Sequence, residues 1–156
     1  MERLLPALLK THIALLSRIL VPFFLFLPLL TNAQTINRSE IVGTWKAIDG
    51  KATSADLSED VRKMMLIMID GFKESTWTFN ENGAFRINFK PDLNPVLEEI
   101  KFLDNKLWKF IDSINQIRIG TKEDNYYHLV LTAKRVDSGI DVYFSDTPIY
   151  LTLRKE

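Results

Sequence analysis

Eight runs of alternating apolar and polar residues follow one another through the last three quarters of the chain, and this repetition limits the fold more than any other feature. Alternation with period two puts one set of side chains on each face of an extended strand, so eight such runs describe sheet with one apolar face. They cover residues 41–47, 75–80, 84–90, 107–110, 116–120, 126–134, 139–144 and 148–154. The third is the cleanest: Phe85, Ile87 and Phe89 alternate with Arg86, Asn88 and Lys90. No internal repeat, low-complexity tract or second domain interrupts the pattern.

The connections divide into two kinds. Runs two and three meet at Glu81-Asn82-Gly83, whose Asn-Gly suits a tight hairpin because both residues tolerate positive φ. Runs four and five join near Asp112 and Ser113, and runs six and seven through Asp137-Ser138-Gly139. Those even-numbered connections are all short. The odd-numbered ones are residues 48–74 and 91–106, both long, and the looser loops 121–125 and 145–147. In an up-and-down meander the odd connections share one end and the even ones the other. The sequence therefore predicts an all-β, eight-stranded antiparallel up-and-down barrel, tight at one end and elaborated at the other, where binding sites usually sit.

The first long insert carries its own period. Thr53 and Asp56 have capping-box spacing, and Leu57, Val61, Met64, Met65, Met68 and Phe72 recur at helical intervals up to a break at Gly71. This predicts an amphipathic helix of about 15 residues between strands one and two, apolar on every side from Met64 to Ile69. In the second insert Val96, Leu97, Ile100 and Leu103 predict a short helix.

Composition sets the compartment and excludes several chemistries. Residues 19–30 form an apolar run broken by Pro22 and Pro28, followed by Thr31-Asn32-Ala33-Gln34. That run is shorter than the ~20 residues a bilayer span needs, so residues 1–33 read as a signal peptide cut after Ala33 rather than a stable membrane span. The expected mature domain is 34–156, exported to the periplasm, the cell envelope or the medium. The first 33 residues hold Arg3, Lys10 and Arg18 against Glu2, so 17 basic and 19 acidic residues remain in the mature chain, a net charge of −2. Such a body gives no reason to expect nucleic acid as a partner. With no cysteine, the chain has no disulfide scaffold, thiolate metal site or thiol catalysis.

At Ile41-Val42-Gly43-Thr44-Trp45-Lys46 the first strand carries a Gly-x-Trp. That motif, ahead of eight ordered strands with a long first connection, resembles the lipocalins. Across about residues 40–155 the chain is more closely similar to the compact lipocalin-like proteins exported by bacteria of the Bacteroidota type. There Gly-Thr-Trp-Lys is followed by a phrase such as Thr76-Trp77-Thr78-Phe79-Asn80-Glu81-Asn82-Gly83. The resemblance implies a barrel floor closed by Gly43 and Trp45, with a basic residue from the chain end over the indole. Arg154 is the best match and Lys155, in phase with Leu153, the rival. The chain is shorter than typical lipocalins and carries no cysteines.

The inward set is large and almost wholly apolar. Trp77, Phe79, Phe85, Ile87, Phe89, Trp108, Phe110 and Tyr127 face the interior on phase, with Met64 and Met68 over the mouth as an adaptable lid. These ten are the candidate contacts for a small hydrophobic ligand. An eight-stranded barrel is just wide enough to be filled by its own side chains or to hold one small molecule. The alternative is thus an envelope structural or protein-interaction module with a filled barrel, presenting Tyr126, Tyr143 and Tyr150 outward. His128, out of phase with Leu129 and Leu131, reads as a surface residue, and no catalytic or metal-ligating constellation or cofactor motif is present. The chain is not expected to be an enzyme.

Overall fold

A computed structural model describes residues 35–54 and 56–156; the leader expected at 1–33 lies outside the described residues. The chain enters through a short helix, α1 (Arg38–Ile41), and passes into β1 (Gly43–Ala52). Helix α2 (Glu59–Phe72) follows, then β2 (Thr76–Phe79) and β3 (Ala84–Asn88). A 3-10 segment (Pro95–Leu103) leads into β4 (Lys106–Ile111), and β5 (Gln116–Gly120), β6 (Leu129–Val136), β7 (Gly139–Phe144) and β8 (Ile149–Lys155) complete the chain. Each strand pairs antiparallel with its neighbour in sequence, and β1 also pairs with β8, which closes an eight-stranded barrel.

The predicted architecture is therefore the observed one, with local shifts. Helix α2 starts later than Thr53: its N-cap is Ser58, whose hydroxyl accepts from the Val61 amide. Gly71 does not break it but sits buried inside it, where a Cβ would lie 2.3 Å from Leu97 Cδ1, so the missing side chain lets the 3-10 segment pack against the helix. The helix expected in the second insert is this nine-residue 3-10 segment, capped by Asn94. Strand β1 runs to Ala52 because a bulge between Ala47 and Asp49 bends it and carries its pairing with β8 onward.

The even connections are tight, as expected. At the β6–β7 turn Gly139 has φ +147°, and a Cβ there would lie 2.1 Å from the Leu153 carbonyl oxygen, so only glycine fits. The seam between β3 and β4 has just two register pairs, Ala84↔Leu107 and Phe85↔Lys106. Beyond it Asp104 substitutes for the missing strand: its Oδ1 accepts from the Ile87 amide and from Arg86 Nε, both at 3.0 Å.

Burial alone would raise the Asp104 pKa, but the Ile87 amide, the Arg86 guanidinium and the Asn105 amide hold it below the usual carboxylate value. A depressed folded-state pKa stabilises the fold above the unfolded value, about 4, and that contribution is lost as pH falls through the folded pKa. Asp104→Asn is therefore expected to flatten the loss of stability below about pH 4 in acid denaturation followed by circular dichroism. An acid limb identical to that of the natural protein would show that no ionised carboxylate fastens this seam.

Candidate functional site

The interior is occupied by rings in mutual contact from one end to the other. Helix α2 directs Met65, Ile69 and Phe72, spaced four and three residues apart, down into the mouth, and all three are buried. Phe72 meets Trp77 at 5.7 Å between centroids, Phe89 at 5.7 Å and Phe144 at 5.2 Å. Below it Trp77 contacts Phe85 at 5.8 Å, Phe85 contacts Phe79 at 5.1 Å, and Phe79 contacts Trp108 at 5.1 Å. Tilted and edge-on rings at these separations add to the area they bury. Trp77, Phe79 and Phe85 are wholly inaccessible to solvent.

Two polar devices fix this column. Ser75 is fully buried; its hydroxyl donates to the Phe72 carbonyl at 2.5 Å and accepts from Trp77 Nε1 at 2.6 Å, tying the end of α2 to the first interior indole. Trp108 Nε1 donates to the Asn80 carbonyl at 2.9 Å, and the Arg38 guanidinium of α1 lies 4.8 Å from its ring. The column thus ends against the floor helix.

The floor is more elaborate than the resemblance implies. Helix α1 carries a capping box, Asn37 accepting from the Glu40 amide while the Glu40 carboxylate accepts from the Asn37 amide. From it Arg38 reaches the Glu81 carbonyl, the Ile36 amide reaches Asn115, and Glu40 pairs with Arg135, so the segment touches all three tight turns or their flanks. The Arg135 guanidinium holds the Glu40 carboxyl below its usual pKa. Nothing in the strand alternation announces α1, but Asn37 and Glu40 have the spacing of a capping box.

Trp45 is buried at this end and donates from Nε1 to the Ile41 carbonyl at 2.8 Å. The cation over its ring is Lys155, with Nζ 5.3 Å from the centroid, and not Arg154. Register decides this: Trp45 is paired with Lys155, whereas Arg154 is paired with Lys46 and is exposed on the other face. Gly43 bears on this contact through its missing side chain. A Cβ there would lie 2.8 Å from Lys155 Cε, so the glycine leaves a path for the lysine stem. Lys155 Nζ also donates to the Glu40 carbonyl at 3.1 Å.

Seven of the ten predicted contacts come together inside: Trp77, Phe79, Phe85, Ile87, Trp108 and Phe110 are buried, and Phe89 packs partly buried against them. Met68 also packs against this core at the edge of α2. Met64 does not. It is 46 % exposed, because Met65 takes the inward position one helical step away. Tyr127 is likewise outside and 54 % exposed. Asn125 and Tyr126 adopt left-handed backbone, with φ of 55° and 65°, so the chain is still in a loop at Tyr127 and β6 starts only at Leu129.

Outside the barrel, Tyr143 and Tyr150 stack across β7 and β8 with centroids 5.1 Å apart. Burial, Asp141 and Tyr150 raise the Tyr143 pKa above the usual phenol value. His128 Nε2 lies 2.5 Å from Asp124 Oδ2 in the β5–β6 loop. Among the described residues no group of three or more His, Asp or Glu could hold a metal ion, and no helix is long and apolar enough to cross a membrane. A cleft of about 730 Å³ opens beside the floor, lined by Glu40, Trp45, Arg135, Ile140, Arg154 and Lys155 among others, and smaller ones of about 370 and 320 Å³ open near Tyr143 and near Asp104. The closed eight-stranded antiparallel barrel is compatible with a lipocalin-like fold. Comparisons of the chain with family models, with curated proteins and with solved structures find no match.

Proposed function

We propose that this chain is an exported, lipocalin-like interaction module of the cell envelope, of the Bacteroidota type, whose working surface is the outside of a filled barrel. The observation that carries this reading is the ring column from Phe72 through Trp77, Phe85 and Phe79 to Trp108. A small-molecule site needs a concavity of roughly 300 Å³ or more with room for a guest. Here the seven inward candidates pack into one core, and of the seven only Ile87 borders one of the three clefts described above. Export rests on the apolar run at 19–30 and the small residues Thr31 and Ala33 ahead of Gln34.

The second reading, a carrier of a small hydrophobic molecule at the helix-covered mouth, is favoured by one observation. Val61, Met64 and Leu66 of α2 stay 43–58 % exposed, an apolar fringe beside the mouth. Native mass spectrometry of protein isolated from its own host separates the two. The expected species is a polypeptide starting at Gln34 with no small-molecule adduct. A stoichiometric apolar adduct overturns the outer-surface reading, and an intact leader on cytoplasmic protein overturns export.

A further inference from the structure

The outer face of β4 and β5 carries an arrangement that folding alone does not call for. Lys109 and Arg118 are directly opposite each other in the ladder. Like charges at such a pair destabilise a sheet. Neither forms an ion pair among the described residues. Lys109 Nζ donates to the neutral Asn125 Oδ1 at 2.7 Å, and Arg118 Nε donates to the neutral Gln116 Oε1 at 2.5 Å. Each cation also lies over a tyrosine: Lys109 Nζ is 4.6 Å from the Tyr126 centroid, and the Arg118 guanidinium carbon is 4.6 Å from that of Tyr127.

The loop that presents those rings is held in place from several directions. Asn125 and Tyr126 are both in the left-handed region, unusual for consecutive residues with side chains. Asp124 Oδ1 accepts from the amides of Thr121, Tyr126 and Tyr127 at 3.0, 2.7 and 3.2 Å. At Gly120 a Cβ would lie 2.7 Å from Asp124 Oδ1 and 2.9 Å from Tyr126 Cα, so the strand end has been cleared for the loop to fold back on it. The patch continues through His128, which meets Asp124 on one side and the half-exposed Phe102 ring edge-on at 5.4 Å on the other. The product is a rigid platform of two uncompensated cations framed by aromatic rings.

We propose that this platform docks an acidic segment of a protein partner. Its carboxylates meet Lys109 and Arg118, and its apolar side chains lie against Tyr126, Tyr127 and Phe102. The assignment deepens the outer-surface reading and rests on it. Tyr and Arg are the residues that dominate protein interface energetics, and the rings lose little freedom on docking because the loop is already fixed. None of the platform residues lines the clefts near the floor, Tyr143 or Asp104, which argues for a macromolecule over a small molecule. A nucleic acid would draw on many phosphate contacts and a broad basic field, whereas the chain beyond residue 33 has 17 basic against 19 acidic residues.

The test is fluorescence anisotropy on the full mature protein with a labelled peptide of Glu-Glu-Phe repeats and a Lys-Lys-Phe control. Binding to the acidic peptide alone is expected. It should weaken about tenfold or more in Lys109→Gln/Arg118→Gln and in Tyr127→Ala, and on raising ionic strength from about 0.05 to about 0.5 M. Lys63→Gln, on the exposed side of α2, should leave it unchanged. Equal binding of both peptides, no binding, or binding indifferent to the double substitution overturns the proposal. An oligogalacturonate that binds more tightly than the peptide, through the same residues, overturns the protein partner in favour of an acidic glycan. An apolar adduct in the native mass spectrum would overturn the outer-surface reading itself, whatever the anisotropy shows.

Discussion

Phe72→Ala is expected to lower stability by about 3–5 kcal/mol, the range for emptying a buried aromatic site, out of a total of about 5–15 kcal/mol. Phe72 is 2 % exposed and touches Trp77, Phe89 and Phe144, so its ring is the keystone between α2, strands β2 and β7, and the residue that follows β3. The residues around it cannot close in, because Ser75 fixes the end of the helix to Trp77 and the strands are bound into a closed ladder. A cavity should therefore remain where the ring was, directly above Trp77. Urea denaturation reads the first effect. The second should appear as a shift in tryptophan emission and as new binding of benzene-sized apolar molecules. A variant as stable as the natural protein would mean that α2 does not plug the barrel.

The floor supplies the second large effect. Trp45→Ala should cost about 3–5 kcal/mol, since the indole is 4 % exposed and its N–H is bonded to Ile41. Lys155→Ala should cost about 1–2 kcal/mol, through loss of the cation over the ring and of the stem packed across Gly43. Arg154→Ala should stay within about 0.5 kcal/mol, as an exposed residue on the outer face. The order Trp45, Lys155, Arg154 in chemical denaturation is the test. Arg154→Ala costing more than Lys155→Ala would mean that β8 pairs with β1 one residue out of the observed register.

How much of this was legible follows from what periodicity encodes. Alternation reports which face of a strand is apolar, and that alone assigns Trp77, Phe85 and Trp108 to the interior. It says nothing of the distance between opposite walls, and filled versus hollow is a matter of such distances. It also cannot see where a strand starts when the pattern continues by chance. Tyr127 shares the phase of Leu129 and Leu131, yet Asn125 and Tyr126 turn the chain left-handed first. Residue choice at a strand end turned on one register step: Lys155 continues the inward phase of Leu151 and Leu153, and that phase was the better guide than the kind of cation. Helix α1 is a single turn, too short to impose a period, and only its capping pair, Asn37 and Glu40, marks it in the sequence.

The claim that the barrel carries no guest is tested most directly by titrating the folded domain, residues 34–156, with an environment-sensitive apolar dye and with a long-chain fatty acid, following tryptophan emission. All three tryptophans of the chain, Trp45, Trp77 and Trp108, are buried within or at the floor of the barrel, so an interior ligand must report on at least one of them. No saturable binding and no change in emission are expected. Stoichiometric, saturable binding at micromolar concentration, accompanied by a shift in tryptophan emission, would contradict the filled barrel.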